Sequence, residues 1–184
     1  MFHSFNANVA QSLLLVIDIQ EKLKPAMQRY EQVKKTAMQL AKAADLLAIP
    51  CLLTEQYKKG LGGTDLQLKQ QFKYADYFDK THFSACKEPE FLDRVAGYER
   101  PQIIVVGMEA HVCVLQTCLD LLANGYQVFL IADGVSSRND LHRDLAIDQL
   151  KQAGAVISCA ESVIFQWGEV AATPVFKEIL KLVK

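Results

Sequence analysis

Apolar runs and amphipathic segments alternate along the whole chain, and this alternation limits the fold more than any other feature of the sequence. Residues 13–17 form a continuous apolar run, which is typical of a strand that is covered on both faces of a sheet. From residue 31 to residue 47 the apolar side chains recur every three or four positions, which indicates a helix. Pro50 prevents that helix from continuing, and residues 51–54 predict a second strand.

The rest of the chain repeats this pattern. Further strands are predicted at 103–106, 128–132 and 155–158, and helices at 111–124, 141–153 and 174–183. Residues 55–73 are polar and contain three glycines, so we expect them to be largely loop. Alternation of strands and helices favours a mostly parallel sheet with helices on both faces. We therefore expect one three-layer α/β/α domain of Rossmann-like architecture that spans residues 1–184.

Composition excludes several classes of partner and location. The chain has 20 Lys and Arg against 21 Asp and Glu, so no global basic field attracts nucleic acid or anionic lipid. Its 5 cysteines are irregularly spaced, which favours reduced thiols over a disulfide framework. The longest apolar run, residues 46–53, is too short to cross a membrane, and the first residues do not resemble a signal peptide. We expect a cytoplasmic protein that binds neither nucleic acid nor membranes.

Two polar residues stand where a parallel sheet places its ligand sites, beyond the carboxyl ends of strands. Asp18 follows the first predicted strand, and Cys113 lies near the start of the helix that follows the strand at 103–106. A helix N-terminus lowers the pKa of a thiol and makes it a better nucleophile. Each residue also has a structural interpretation, because Asp is a common helix cap and most cysteines are small buried apolar residues. Lys80, taken alone, is one of many lysines in the chain, and its structural interpretation is a solvated surface charge.

Three sequence blocks, taken together, resemble a known family. They are residues 14–20 (Leu-Leu-Val-Ile-Asp-Ile-Gln), 80–85 (Lys-Thr-His-Phe-Ser-Ala) and 107–114 (Gly-Met-Glu-Ala-His-Val-Cys-Val). In this order and strand context they resemble the isochorismatase-like cysteine hydrolase superfamily, which includes nicotinamidases and N-carbamoylsarcosine amidohydrolases. The resemblance covers approximately residues 11–160.

The resemblance implies a catalytic triad of Asp18, Lys80 and Cys113. It also implies a non-proline cis peptide between Met108 and Glu109, and an oxyanion hole formed by the amides of Glu109 and Cys113. In such a site the thiolate attacks an acyl carbon, Asp18 accepts and returns the proton, and Lys80 favours the thiolate. The implied reaction is hydrolysis of a small amide or related acyl compound.

The sequence departs from part of the family. Nicotinamidases have a metal site of one Asp and nearby histidines after the second strand, but residues 54–62 here contain no histidine. The four histidines, His3, His82, His111 and His142, show no ligand spacing, so we expect no metal and no cofactor. Residues 54–62 instead resemble the isochorismatase-domain-containing subgroup. Cys113 argues against cleavage of isochorismate, because the members that do this lack the cysteine.

Four residues near the triad in sequence are candidates for lining a substrate pocket: Gln20, Tyr57, Phe83 and His111. Relatives with this fold are commonly dimers or larger, and an apolar stripe on the helix at 174–183 predicts a homo-oligomer. Trp167 is expected in the core or at a subunit interface. The alternative function is a catalytically quiet oligomeric scaffold. A thiol redox protein is less favoured, because Cys118 points away from Cys113 on a helix.

Overall fold

Six strands form a single sheet in which neighbouring strands pair in parallel. In chain order they are β1 (Ser12–Ile17), β2 (Cys51–Gln56), β3 (Asp76–Lys80), β4 (Gln102–Met108), β5 (Gln127–Ser136) and β6 (Val156–Ser158). Their order across the sheet is β3-β2-β1-β4-β5-β6. The computed structural model describes residues 3–183, so residues 1, 2 and 184 of the predicted domain lie outside the described range.

Helices cover both faces of this sheet. They are α1 (Tyr30–Leu46), α2 (Lys58–Leu61), α3 (Leu66–Gln71), α4 (Phe91–Ala96), α5 (Leu115–Ala123), α6 (Asp140–Gln152), α7 (Ala160–Gly168) and α8 (Pro174–Val183). Helices α1, α7 and α8 pack on one face, and α4, α5 and α6 pack on the other. The side chains of β1 alternate between these two cores and are all buried. The three-layer α/β/α architecture predicted from the sequence is confirmed.

The order of the strands reverses beside β1, where β2 lies on one side and β4 on the other. In an open parallel sheet, ligands bind in the crevice at this switch point, outside the carboxyl ends of the strands. Gly107 brings β4 very close to β1 here, because a Cβ atom on this residue would lie 2.1 Å from the carbonyl oxygen of Ile17. Its φ of 138° also requires glycine. Asp18 follows Ile17 directly at this crevice.

Two local predictions between residues 55 and 80 are wrong. Residues 55–73 are not largely loop, because β2 continues to Gln56 and two short helices follow it. The strand β3 was not predicted, since residues 76–80 carry two aspartates and a lysine and lack an apolar run. This edge strand is fixed by its pairing with β2, which places Gln56 beside Lys80.

The sequence spacing of Leu141, Leu145 and Leu150 predicts that these three residues form one apolar face of α6, and this prediction is also wrong. Ala146 and Leu150 face the core, whereas Leu141 and Leu145 are 63% and 57% exposed. Leu141 and Leu150 are nine residues apart, and at about 100° per residue they point to opposite sides of a helix. This leaves a leucine pair on the outer surface of α6.

The apolar stripe of α8, which was expected to form a subunit interface, packs inside the chain at Ile179, while Val175 at its start is exposed. Ile179 is fully buried, and α8 contacts α1 and α7. Trp167 belongs to the same core, where its indole Nε1 donates to Ser12 Oγ at 2.9 Å. Among the described residues, no helix has the length and apolar composition needed to span a membrane. The cytoplasmic location stays a prediction.

Candidate active site

Asp18 leaves the end of β1 in a left-handed backbone conformation, with φ of 51°. Asp tolerates this region better than most residues, and such conformations are frequent at functional sites. The side chain is buried, and its Oδ1 accepts a hydrogen bond from Thr54 Oγ1 at 2.7 Å. The backbone N–H of Asp18 donates to the carbonyl of the same threonine at 3.2 Å. Thr54 on β2 therefore fixes both the backbone and the carboxylate of Asp18.

Lys80 ends β3 and brings its ammonium to this carboxylate. Its Nζ lies 2.7 Å from Asp18 Oδ2, and the two side chains are 0% and 1% exposed. Further acceptors surround Nζ, namely Gln56 Oε1 at 2.5 Å and the carbonyl oxygens of Phe83 at 3.1 Å and His82 at 3.3 Å. A buried charge is tolerated only where it is paired and hydrogen-bonded, and both conditions hold here.

Cys113 lies on the β4 side of the switch point, opposite Lys80 at the end of β3. It lies in a π-helical turn, Ala110–Val114, that leads from β4 into α5, and it is 6% exposed. The Asp18 carboxylate and the Lys80 ammonium both lie near enough to affect the pKa of its thiol, which the carboxylate raises and the ammonium lowers. The structure thus brings together the three residues that the sequence blocks at 14–20, 80–85 and 107–114 contributed separately.

The expectation that the pKa of this thiol is lowered is wrong. Burial, and then the Asp18 carboxylate, raises the pKa of Cys113 to about 12, and the opposing effect of Lys80 is smaller. The sequence argument assumed an accessible thiol at the first turn of a regular helix. The π-helical turn instead buries the sulfur, so that the thiol is protonated at neutral pH in the resting site.

The peptide bond between Met108 and Glu109 is cis. The carbonyl of Glu109 accepts the N–H groups of Val112 at 3.1 Å and Val114 at 3.2 Å, which ties the turn to the end of β4. The Glu109 carboxylate forms a two-point ion pair with Arg138, with nitrogen–oxygen distances of 2.9 and 3.0 Å. The backbone that contains the predicted oxyanion-hole amides is therefore held from two directions.

The four predicted pocket residues differ in their surroundings. Phe83 and Tyr57 are 55% and 56% exposed, and both contact Lys80 through their backbones. His111 is half-buried, its Nδ1 lies 2.9 Å from Ser137 Oγ, and burial lowers its pKa.

Gln20, by contrast, is fully buried. Its side-chain Nε2 donates to the carbonyls of Gln56 and Gly62, and its Oε1 accepts from the N–H of Gln56 at 2.8 Å. This geometry favours a structural role for Gln20, because no part of its amide group remains for a ligand.

Sequence reasoning missed Thr54 and Gln56, which contact the triad from β2. The available signal was the spacing of these two polar residues, directly after the apolar pair Leu52 and Leu53. Residues two apart in a strand share a face, so both point toward Asp18 and Lys80. It also missed Glu88, whose Oε1 accepts hydrogen bonds from the backbone N–H and the side chain of both Thr81 and His82.

Comparison with known proteins places this chain in a family. Residues 12–162 match the family model described as "Isochorismatase domain". Isochorismatase domain-containing protein 2 of Bos taurus is 40% identical over 94% of this chain and 83% of its own length. The secreted isochorismatase effector Isc1 of Phytophthora sojae is 38% identical over 94% of this chain and 84% of its own length.

Solved structures agree with this assignment. The structure titled MAR1 ribonuclease from Caenorhabditis elegans is 40% identical, has a TM-score of 0.91 and covers 97% of this chain and 92% of its own. YcaC of Escherichia coli, described as an octameric hydrolase of unknown specificity, has a TM-score of 0.89 at 22% identity, over 96% of this chain and 90% of its own. The nicotinamidase SaPncA of Staphylococcus aureus has a TM-score of 0.74 at 18% identity, over 81% of this chain and 99% of its own. The family match and the extent of these alignments establish that the chain belongs to the isochorismatase family of hydrolases.

Proposed function

We propose that this protein is a cysteine hydrolase that cleaves a small amide or related acyl compound through a covalent acyl-enzyme on Cys113. The observation that carries the proposal is the buried Asp18–Lys80 ion pair beside the Cys113 thiol. A base, a fixed positive charge and a nucleophile in one crevice are the parts that acyl transfer requires. Perturbed titratable groups in a cleft are typical of functional sites.

The reaction begins with the protonated thiol. Because the pKa of Cys113 is raised to about 12, the proton must leave as the carbon–sulfur bond forms. Asp18 accepts this proton, and Lys80 stabilises the negative charge that develops on sulfur. The amides of Glu109 and Cys113 donate to the oxyanion of the tetrahedral intermediate, which contributes about 3–4 kcal/mol per donor in comparable enzymes.

The same groups then complete the cycle. Asp18 returns the proton to the leaving nitrogen, so that an amine departs and the acyl group remains on sulfur. Water next attacks the thioester carbon and gives one proton to Asp18. Collapse of this second intermediate expels the Cys113 thiolate, which recovers the proton from Asp18, and releases a carboxylic acid. No metal or cofactor takes part in these steps.

The burial of Cys113 favours a small acyl group. The sulfur belongs to a residue that is 6% exposed, so a reacting carbonyl must enter a narrow opening. Phe83 and Tyr57 are exposed aromatic residues whose backbones contact Lys80, and His111 lies two residues before Cys113 in the same π-helical turn. We propose that these three side chains contact the rest of the substrate.

Three of the solved relatives, from Caenorhabditis elegans, Leishmania major and Leishmania donovani, are called MAR1 ribonucleases, and this activity is the less favoured alternative for this chain. Proteins that bind single-stranded RNA use basic grooves that follow the phosphate backbone. Here Lys80, Arg138 and Lys58 are each paired with a carboxylate, from Asp18, Glu109 and Glu55 respectively. A catalytically quiet scaffold is also less favoured, because burying an ion pair against a thiol has no evident structural purpose.

We also propose a homo-oligomer, with the outer surface of α6 as the contact between copies. Leu141 and Leu145 are one turn apart on α6 and are both more than half exposed. YcaC, which shares this fold, is an octamer, and this supports self-association.

A substrate screen tests the proposed activity. Small carboxamides, ureas and hydroxamates are incubated with the protein, and the release of ammonia, hydroxylamine or acid is measured, with RNA oligonucleotides as a parallel arm. We expect turnover of at least one small acyl compound that is lost in Cys113→Ala. RNA cleavage that survives in Cys113→Ala, without amide turnover, would contradict the proposal.

A further inference from the structure

Four oxygen acceptors hold the ammonium group of Lys80 in place. An ammonium group carries three hydrogens, and four acceptors lie within 3.3 Å of this one. They are Asp18 Oδ2, Gln56 Oε1 and the carbonyl oxygens of His82 and Phe83. These acceptors fix the position of the ammonium, whose positive charge lowers the pKa of the Cys113 thiol.

Gln56 is the nearest of the neutral acceptors, and its orientation is fixed. The Nε2 group of its amide donates to the carbonyl of Thr81 at 2.7 Å, so Oε1 is the end that faces Lys80 Nζ. Gln20 holds the backbone of Gln56 by accepting from its N–H at 2.8 Å and donating to its carbonyl at 3.0 Å. The residue is 8% exposed, so water does not compete effectively for these bonds.

Gln56 Oε1 carries no net charge, and this matters as much as its position beside Lys80 Nζ. Lys80 already has one anionic partner, Asp18, and its remaining positive field acts on the Cys113 thiol, whose pKa it lowers. A carboxylate in place of the amide would be a second anion against one cation and would cancel that field. A neutral oxygen holds the ammonium equally well and leaves its charge available.

We propose that Gln56 is a positioning residue that holds Lys80 between Asp18 and Cys113 through a neutral oxygen, so that the charge of Lys80 stays fixed beside the thiol. This inference rests on the proposed function, because it assigns a role within the Asp18–Lys80–Cys113 site. It goes further by naming the residue on which the action of Lys80 depends.

The test measures the second-order rate of alkylation of Cys113 by iodoacetamide at pH 8, from quenched peptide mass spectrometry. No substrate is needed. The variants are Lys80→Met, Gln56→Met, the double variant of both, and Gln56→Glu, with Gln152→Glu as the control. Gln152 is exposed at the far end of α6 and gains the same charge. Thermal unfolding of each variant establishes that it is folded.

We expect Lys80→Met to slow alkylation by about tenfold or more, since each unit of thiol pKa changes the thiolate fraction tenfold. Gln56→Met should slow it by about threefold, and Gln56→Glu by about tenfold, through the added negative charge. Gln152→Glu should stay within about twofold of the unmodified protein. Gln56→Met should add nothing in the Lys80→Met background, because a residue that acts through Lys80 has no effect without it.

The outcomes separate this inference from the proposed function. If Lys80→Met alkylates at the original rate, Lys80 does not act on Cys113 and the proposed function fails. If Lys80→Met is slow but Gln56→Met and Gln56→Glu are not, the role of Gln56 alone is overturned. An equal loss from Gln56→Met with and without Lys80 would also overturn it, since that result shows a general structural effect. Gln56→Glu keeps the test decisive if Gln56→Met does not fold.

Discussion

Lys80 Nζ lies 2.7 Å from Asp18 Oδ2, and neither side chain is exposed to solvent. Such a pair is electrically neutral as a unit, but each charge alone is costly in this environment. Removal of one partner from a buried pair typically destabilises a protein by about 3–5 kcal/mol, whereas replacement of both can be nearly neutral. Each variant of this pair therefore changes folding as well as chemistry, and the two effects must be measured separately.

The first prediction concerns Asp18→Asn. This change removes the proton acceptor and preserves the shape of the side chain, so kcat/KM for any amide substrate should fall by about 10²–10⁴. Steady-state kinetics at pH 7.5 measure the loss, and Asp93→Asn on α4 serves as the control. A rate within threefold of the original would mean that Asp18 is not the base.

The second prediction concerns the combination of Asp18→Asn with Lys80→Met. Groups that work as a unit lose activity non-additively, so the double variant should be little worse in kcat/KM than either single variant. Its free energy of unfolding should exceed that of Lys80→Met alone, because no uncompensated charge remains buried. Kinetics and urea unfolding are measured for the original protein, the two single variants and the double variant. They give one double-mutant cycle for kcat/KM and one for the free energy of unfolding. Strictly additive losses in both quantities would show that the two residues act independently.

The alternation of apolar runs was enough to predict the layered fold, because strands covered on both faces need a continuous apolar sequence. It failed at β3, where the strand is an edge and its residues are mostly polar. It failed again at α6, because Leu141 and Leu150 are nine residues apart and therefore point to opposite sides of the helix. At β3 the pairing with β2 decides the structure, and the sequence does not show that partner.

The third prediction uses the carboxylate of Glu88. Burial opposes its ionisation, but the N–H groups of His82 and Thr81 outweigh this and lower the pKa of Glu88 to about 2. Since the pKa is lower in the folded state, the stabilisation is complete above about pH 4.5 and is lost as the pH falls toward 2. Glu88→Gln should cost about 1–2 kcal/mol of unfolding free energy at pH 7.

The difference between the original protein and Glu88→Gln should narrow steadily when urea unfolding is repeated at pH 5, 4 and 3. Glu21→Gln replaces an exposed carboxylate and is the matched control. A difference that stays constant over this range would show that the charge of Glu88 does not hold residues 81 and 82.

The fourth prediction concerns self-association. Leu145→Asp places a charge in the proposed contact on α6, so light scattering at micromolar concentration should give a smaller particle than the original protein. Val175→Asp changes an exposed position on α8, whose apolar side already packs against α1 and α7, and should leave the mass unchanged. A monomer mass for the original protein, or dissociation by Val175→Asp alone, would contradict the proposed interface.

The candidate site was only partly visible in the sequence. Asp18 and Cys113 stand out because they follow apolar strands, and the family resemblance added Lys80. The acceptors that fix Lys80 could not be predicted, because two of them are backbone carbonyls, of His82 and Phe83, whose direction depends on the turn after β3. The raised pKa of Cys113 was also hidden, since it results from burial in a turn that no spacing pattern indicates.

The central claim is that Cys113 becomes acylated during turnover, and p-nitrophenyl acetate tests it most directly. Mixing the protein with this activated ester should produce a burst of p-nitrophenol near one equivalent per chain. Acid-quenched peptide mass spectrometry should then find one acetyl group on the peptide that contains Cys113, and Cys113→Ala should show neither signal. A burst that persists in Cys113→Ala, or an acetyl group found on Cys51, Cys86, Cys118 or Cys159 instead, would contradict the account.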